Sequence, residues 1–297
     1  VSGQPDRSAP AGVGELRERL LDAGYLAERG LATAAFIGLR LGRPILLEGE
    51  VGVGKTELAK CLAAITGRRL IRLQCYEGID TSQALYEWDY ARQMLHIRAL
   101  SAHDLADAGT VSGLYTEEFL LERPLLQAIR GGGNTVLLVD EIDRADDEFE
   151  AFLLELLSDF QITIPEIGTV SADERPVVVL TSNRTRELHD ALKRRCLYHW
   201  IGYPSVDAEV QIVRLRAPQA AETLARKVVA AVNRLRDMDL AKPPGVAETL
   251  DWVAALEAIG SNGLDAETAA DTLGAVVKDR DDLEIAAAGL DRLTADA

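Results

Sequence analysis

The octapeptide GEVGVGKT at residues 49–56 limits the fold of this chain more than any other stretch. It follows the apolar run PILLE and leads directly into ELAKCLAAITG, whose apolar residues recur at helical spacing. A strand, a glycine-rich loop and a helix in that order belong at the carboxyl edge of a parallel sheet covered by helices. The spacing GxxxxGK(S/T) is met by Gly49, Gly54, Lys55 and Thr56, with Glu50, Val51, Gly52 and Val53 completing the loop. Its glycines permit a tight turn whose N–H groups point inward, and the following helix adds its positive end. Such a loop wraps phosphates. Lys55 then reaches the β- and γ-phosphates of ATP, and the Thr56 hydroxyl takes a place on Mg2+.

Five short apolar runs recur along the chain: ILLEG at 45–49, LIRLQC at 70–75, TVLLVDE at 135–141, VVVLTSN at 177–183 and LYHWIGY at 197–203. Helix-patterned segments lie between them, so the fold class is an α/β P-loop parallel sheet sandwiched by helices. Residues 15–41 read as two helices, with Leu16, Leu20, Leu21, Leu26, Leu31, Ala35 and Leu39 as their apolar positions and breaks near Gly24 and Gly30. The segment QITIPEIGTVSADERP at 161–176 has β-rich flanks around a turn and predicts an inserted hairpin. Beyond Pro204 the strand signal ends, and 206–217, 222–236, 246–259 and 265–293 all read as helix. The expected organisation is a disordered leader at 1–14, an α/β nucleotide-binding domain at 15–203 and a small all-helical lid at 204–297. The acidic DRDDLE near the end reads as a solvated helix face.

The second chemical element is Asp140-Glu141, closing the run TVLLVDE. An apolar strand that ends in acids places carboxylates where parallel sheets bind their ligands. Asp140 is the candidate for holding Mg2+ through water, and Glu141 for polarising the attacking water. Asn183 ends VVVLTSN, where a polar tip either positions that water or simply opens a turn. Arg194-Arg195 in LHDALKRRCLYHWI is either a solvated basic helix end or a pair that reaches a neighbouring subunit to offset charge there.

Composition narrows the partners. With 48 acidic against 32 basic residues the net charge is −16, a field that repels a nucleic-acid backbone and favours protein partners. No stretch approaches the roughly 18 apolar residues of a membrane helix, and the polar start carries no signal peptide, which points to the cytoplasm. Three scattered cysteines, Cys61, Cys75 and Cys196, read as buried free thiols rather than a disulfide framework or metal site. Tyr76, Tyr86, Trp88 and Tyr90 cluster in the stretch 76–115, either as local packing or as a surface for a client.

The order of these elements resembles the AAA+ ATPases. GEVGVGKTELAK, LLVDEIDRADDEFEAFLLELLSD, VVVLTSNRTREL and ALKRRCLYHWIGYPS are similar to their Walker A, Walker B, sensor 1 and arginine-finger regions. IDRAD, the hairpin, GYPSVDAEVQIVRLRAP and KPPGVAETLDWVAAL resemble the MoxR branch, and the last phrase its CoxD-type subgroup, linked to maturation of molybdenum–copper carbon monoxide dehydrogenase. The resemblance spans about residues 20–260. It implies Lys55 and Thr56 on nucleotide and Mg2+, Asp140 on Mg2+, Glu141 as base and Asn183 as sensor 1. Arg195 best matches the finger, with Arg194 beside it, and Gln74 matches a polar residue that restrains the catalytic acid. It further implies a homo-oligomeric, hexameric ring, a partner with a von Willebrand factor A domain and a metalloenzyme client. One departure is plain: LAKPPGVAET stands where many lids carry a sensor 2 arginine, so either Lys242 substitutes or lid closure is sensed differently.

The leading expectation is therefore an ATP-driven remodelling chaperone in metalloenzyme maturation. The alternative is a ring translocase acting on DNA or another protein client, since ALKRRC is also similar to restriction-linked members of the superfamily. The acidic charge and the lack of a basic, aromatic-studded tract weigh against DNA. A non-hydrolysing scaffold is a third reading. NRTR at 183–186 is not the base-reading phrase of a GTPase.

Overall fold

The computed structural model describes residues 9–99, 113–261 and 263–295. Nine strands occur among them: β1 (Ile45–Gly49), β2 (Arg69–Gln74), β3 (Tyr86–Trp88), β4 (Leu120–Glu122), β5 (Thr135–Asp140), β6 (Gln161–Ile164), β7 (Gly168–Ser171), β8 (Val177–Ser182) and β9 (Leu197–Ile201). The five expected apolar runs are β1, β2, β5, β8 and β9, which form one sheet in the order β2-β5-β8-β1-β9. The pairings of β2 with β5 and of β5 with β8 are parallel. Every residue of β1, β5 and β8 is buried, which is why these central strands read as unbroken apolar runs. The outer strands β2 and β9 alternate between covered and open positions instead. The strand that carries the phosphate loop is thus separated from the acid-bearing β5 by β8.

The described residues fall into two compact units, one drawn from 33–47 and 62–199, the other from 11–32, 48–61 and 200–295. In the first, Leu137, Val139, Val178 and Leu180 of the sheet pack with Leu125, Ile129, Phe149, Leu153 and Phe160. The expected hairpin is β6–β7, paired antiparallel from Gln161↔Ser171 to Ile164↔Gly168. A second antiparallel pair, β3–β4, lies in the aromatic stretch, where residues 100–112 are outside the described residues. There Trp88 is buried and meets Tyr86 and Tyr115 edge-on, whereas Tyr76 and Tyr90 are exposed. The aromatic cluster is therefore part packing and part surface.

The second unit is helical apart from its strand ends. Helix Glu222–Arg236 buries Leu224, Val228, Val229, Val232 and Leu235 against Trp252, Val253 and Leu256 of helix Val246–Ala258. The indole of Trp252 donates to Thr272 Oγ1 at 2.8 Å, so the unit's largest buried ring leaves no orphaned donor. The first 41 residues contain helices Val13–Asp22 and Arg29–Leu41. The break falls at Gly24, with φ of 82°, and Gly30 lies inside the second helix. Val13 and Gly14 of the expected leader already belong to the first helix, while residues 1–8 are outside the described residues.

Two expectations need correction. The segment 265–293 is not one helix but Ala266–Thr272, a 3-10 turn at Leu273–Ala275, Arg280–Ala288 and the start of Leu290–Thr294. DRDDLE is not merely a solvated face. Asp282 is buried and accepts from Ala241 N and Lys242 N at 2.8 and 2.9 Å, while Asp279 caps its own helix and pairs with Lys242 at 2.9 Å.

Candidate nucleotide site

The phosphate loop is built as its composition demands. Gly49 closes β1 where an added Cβ would stand 1.9 Å from Ile201 O, so no other residue fits. Lys55 opens helix Lys55–Thr66 and is buried, its Nζ donating back to Gly49 O at 2.8 Å and Glu50 O at 2.5 Å. The ammonium therefore lies within the curl of its own loop, on carbonyls that a phosphate oxygen would replace as partner. The N–H groups of the helix's first turn have no intrahelical acceptor, as at any helix start. Thr56 stands in that turn, and Glu50 and Val51 are exposed at the tip.

The tip is met by the start of helix Val246–Ala258. Ala247 N donates to Gly52 O at 3.1 Å, and a Cβ on Gly245 would come within 2.5 Å of Val51 O and 2.8 Å of Gly52 Cα. Gly245 starts helix Val246–Ala258, and its N–H is held by Glu248 Oε2 at 2.9 Å. Behind it Arg236 donates Nε to Pro244 O at 2.8 Å, forks onto the buried Glu209 at 2.6 and 2.8 Å, and lies over the Tyr203 ring. Thr249 adds a 2.6 Å bond to the same Glu209. Lys242, the expected substitute for a sensor 2 arginine, is engaged with Asp279 instead; that ion pair raises the Lys242 pKa.

In the first unit, Asp140 ends β5 almost wholly buried. Its Oδ1 accepts from Thr181 Oγ1 at 2.6 Å, and its Oδ2 accepts from Arg72 Nε and Nη2 at 2.9 and 2.6 Å. Glu141 follows in a left-handed backbone conformation, φ 55° and ψ 51°, which turns its side chain away from the strand's alternation. Its N–H donates to the same Thr181 hydroxyl at 2.9 Å. Its Oε2 accepts from Gln74 Nε2 at 3.0 Å and from Arg144 Nη1 at 3.2 Å. One hydroxyl thus joins the two acidic residues, and Gln74 at the end of β2 holds the second of them. Thr181 and Arg72 escaped sequence reading. Thr181 stands next to last on β8 and Arg72 in the middle of β2, both on strands flanking β5, and nothing local marks either.

Asn183 begins the loop after β8, and its N–H donates to the buried Asp143 at 3.2 Å. Asp143 also accepts from Thr185 N at 2.9 Å and Thr185 Oγ1 at 2.7 Å. Further on, Arg186 donates to Ala145 O at 2.9 Å and pairs with the buried Glu150, which also takes His189 N at 2.9 Å. The IDRAD phrase is therefore the anchor of the Asn183 loop. Helix Asp190–Arg195 follows, ending in exposed Arg194 and Arg195, whose carbonyls accept from Arg43 at 3.1 and 3.2 Å. Among the described residues neither of their guanidinium groups has a hydrogen bond or ion pair.

In the second unit a buried lysine rests on its own loop carbonyls, and in the first a strand-end carboxylate is held by hydroxyl and guanidinium donors; these are the donor types that a phosphate chain and a hydrated Mg2+ respectively take. Among the described residues no cluster of three histidine, cysteine or acidic side chains could hold an ion by itself. Residues 44–196, a little over half of the chain, match the family model described as AAA domain (dynein-related subfamily). The chain belongs to this AAA domain family. With it comes membership of the P-loop ATPases. The chain is 26% identical over 209 residues to gas vesicle ATPase GvpN1 of Halobacterium salinarum, covering 67% of this chain and 58% of that protein. It is 33% identical over 144 residues to chaperone protein ClpB 1 of Thermosynechococcus vestitus, covering 48% of this chain and 14% of the relative. The chain thus spans well under two thirds of these curated relatives. Among solved structures it is similar to the Thermotoga maritima RuvB Holliday junction branch migration motor, at 17% identity and a TM-score of 0.46, over 94% of this chain and 75% of that one.

Proposed function

We propose that this AAA domain binds and hydrolyses ATP, with Mg2+, to drive a MoxR-type remodelling chaperone. The observation that carries the reading is Glu141, fixed through its backbone to Thr181 and through its carboxylate to Gln74 beside the buried Asp140. The curated relatives, an ATPase and a chaperone by name, support the same class. Gly49 to Gly54 wrap the phosphates with backbone N–H groups, and Lys55 exchanges its loop carbonyls for phosphate oxygens. Thr56 and Asp140 would hold Mg2+, which would supply charge to offset that of the β- and γ-phosphates. Glu141 takes up the proton of the attacking water, and Asn183 orients that water. Arg195, with Arg194 beside it, serves the next subunit of a hexameric ring.

The ring's client is proposed to be a metalloenzyme, the assembly of a molybdenum–copper carbon monoxide dehydrogenase being favoured by KPPGVAETLDWVAAL and the β6–β7 hairpin. A partner with a von Willebrand factor A domain would connect ring and client. Glu141→Gln tests the core of the reading: turnover falls by about a hundredfold or more while ATP binding persists. Retained turnover would overturn it. The same ATP-holding variant, used in a pull-down, identifies the client, and DNA-stimulated ATPase activity would replace the chaperone by a translocase.

A further inference from the structure

We propose that Arg72 is a positioning residue that ties the placement of Asp140 to that of Glu141; the inference rests on the reading of those two acids given above. Arg72 lies on β2, in register with Leu138 of β5, and its guanidinium reaches along the strands to the end of β5. Both Nε and Nη2 donate to Asp140 Oδ2. The same Nη2 donates to the side-chain oxygen of Gln74. A glutamine amide has one acceptor end and one donor end. With its oxygen taken by Arg72, Gln74 must turn its NH2 toward Glu141, where the bond is found at 3.0 Å. The chain of contacts Asp140–Arg72–Gln74–Glu141 therefore sets the orientation of an amide that could otherwise flip and present its oxygen to a carboxylate.

Two consequences follow from the chemistry. A cation on Asp140 competes with the field of Mg2+ at the same carboxylate. A shift of Asp140 on loading of the site would alter the hold of Arg72 on Gln74, and so the position of Glu141. Nη2 serves both acceptors while Nε, in the same rigid plane, adds a second bond to Asp140; a lysine's ammonium on a flexible stem lacks that plane and does not fix the direction of either bond. The Arg72 side chain is 52% exposed while Asp140 is 4% exposed, so the guanidinium can be removed without opening a cavity.

Arg72→Met and Arg72→Lys are compared with the parent chain in three measurements. In protein free of nucleotide and metal, the side-chain amide of Gln74 is followed by proton–nitrogen correlation spectroscopy. Solvent exchange is expected to be slow in the parent and fast in both variants. The kcat for ATP falls about tenfold or more in both variants, as for a misplaced catalytic group. The dissociation constant for ATP without Mg2+ stays within about twofold, since it reports only uniform binding. The Mg2+ concentration for half-maximal rate drops in Arg72→Met and returns toward the parent in Arg72→Lys, because only the charge is restored. Parent-like exchange of the Gln74 amide, or an unchanged kcat, in Arg72→Met overturns the inference. Should Arg72→Met melt early, Arg72→Lys decides by the same criteria. Failure of the underlying reading looks different: Asp140→Asn and Glu141→Gln then keep turnover whatever Arg72 does.

Discussion

Thr181 shows how much of the acid site depends on a single hydroxyl. Its oxygen accepts the Glu141 N–H and donates to Asp140, so one side chain both secures a left-handed backbone and satisfies a buried carboxylate. Valine has the same shape without either capacity. Thr181→Val is therefore expected to lower stability by about 1–3 kcal/mol, the cost of a buried donor and acceptor left unpaired. A urea unfolding midpoint equal to the parent's would refute this. At this scale the sequence was partly legible. Lys55, Thr56, Asp140 and Glu141 stand in motifs whose spacing is dictated by the loop and the strand end. Thr181, Arg72 and Asp143 act through partners 40 to 68 residues away, and no local pattern marks them.

Among the elements, the central strands could be read almost residue by residue because burial on both faces makes most of their side chains apolar, with polar residues gathered toward the strand ends. Three helices of the second unit, Val206–Arg216, Glu222–Arg236 and Val246–Ala258, were located to within a residue at each end, but the pieces within 265–293 were not. The 3-10 turn at Leu273–Ala275 and the use of Asp282 as a cap for Ala241 and Lys242 depend on tertiary contacts. The turn at Pro243–Gly245 belongs to the same class. Gly245 has φ of −84°, a value open to any L-residue, so its need for glycine comes from its neighbours alone. Gly245→Ala would push a methyl group into Val51 O and Gly52 Cα without straining its own backbone. The expected result is a loss of about 1–3 kcal/mol, the usual cost of overpacking. Weaker ATP binding should accompany it, because the displaced atoms belong to the phosphate loop. Gly14→Ala, which meets nothing within 4 Å, is the control in both thermal melting and ATP titration. Equal behaviour of the two variants would show that the contact carries no weight.

For the whole molecule, the proposed ring makes a prediction that no single subunit can. A chain carrying Arg194→Ala with Arg195→Ala and a chain carrying Glu141→Gln should each be nearly inactive. Mixed, they should regain part of the turnover, since a Glu141→Gln subunit can lend its arginines to an intact acid next door. Absence of any recovery on mixing would remove the shared site. A second global property is the response to alkali. Burial pushes the thiols of Cys75 and Cys196 up to about 12 from an ordinary 9.0 and also raises that of Cys61. The folded chain keeps protons that the unfolded chain releases, so this contribution is complete below about pH 9 and is lost as pH climbs toward about 12. Melting temperatures measured across that window should fall more shallowly in Cys75→Ala with Cys196→Ala than in the parent; an identical slope would contradict the assignment.

The meeting of Gly52 and Gly245 is made by main chain on both sides. Such a contact carries no information about side-chain identity beyond the demand for two hydrogens in place of two methyl groups. The helical segment beyond residue 204 can therefore change its outer surface and its charge without renegotiating its hold on the loop. A family built on this joint could diversify its business end freely while its engine stays the same, and grafting a foreign lid should succeed or fail first on whether a glycine stands at the start of that helix.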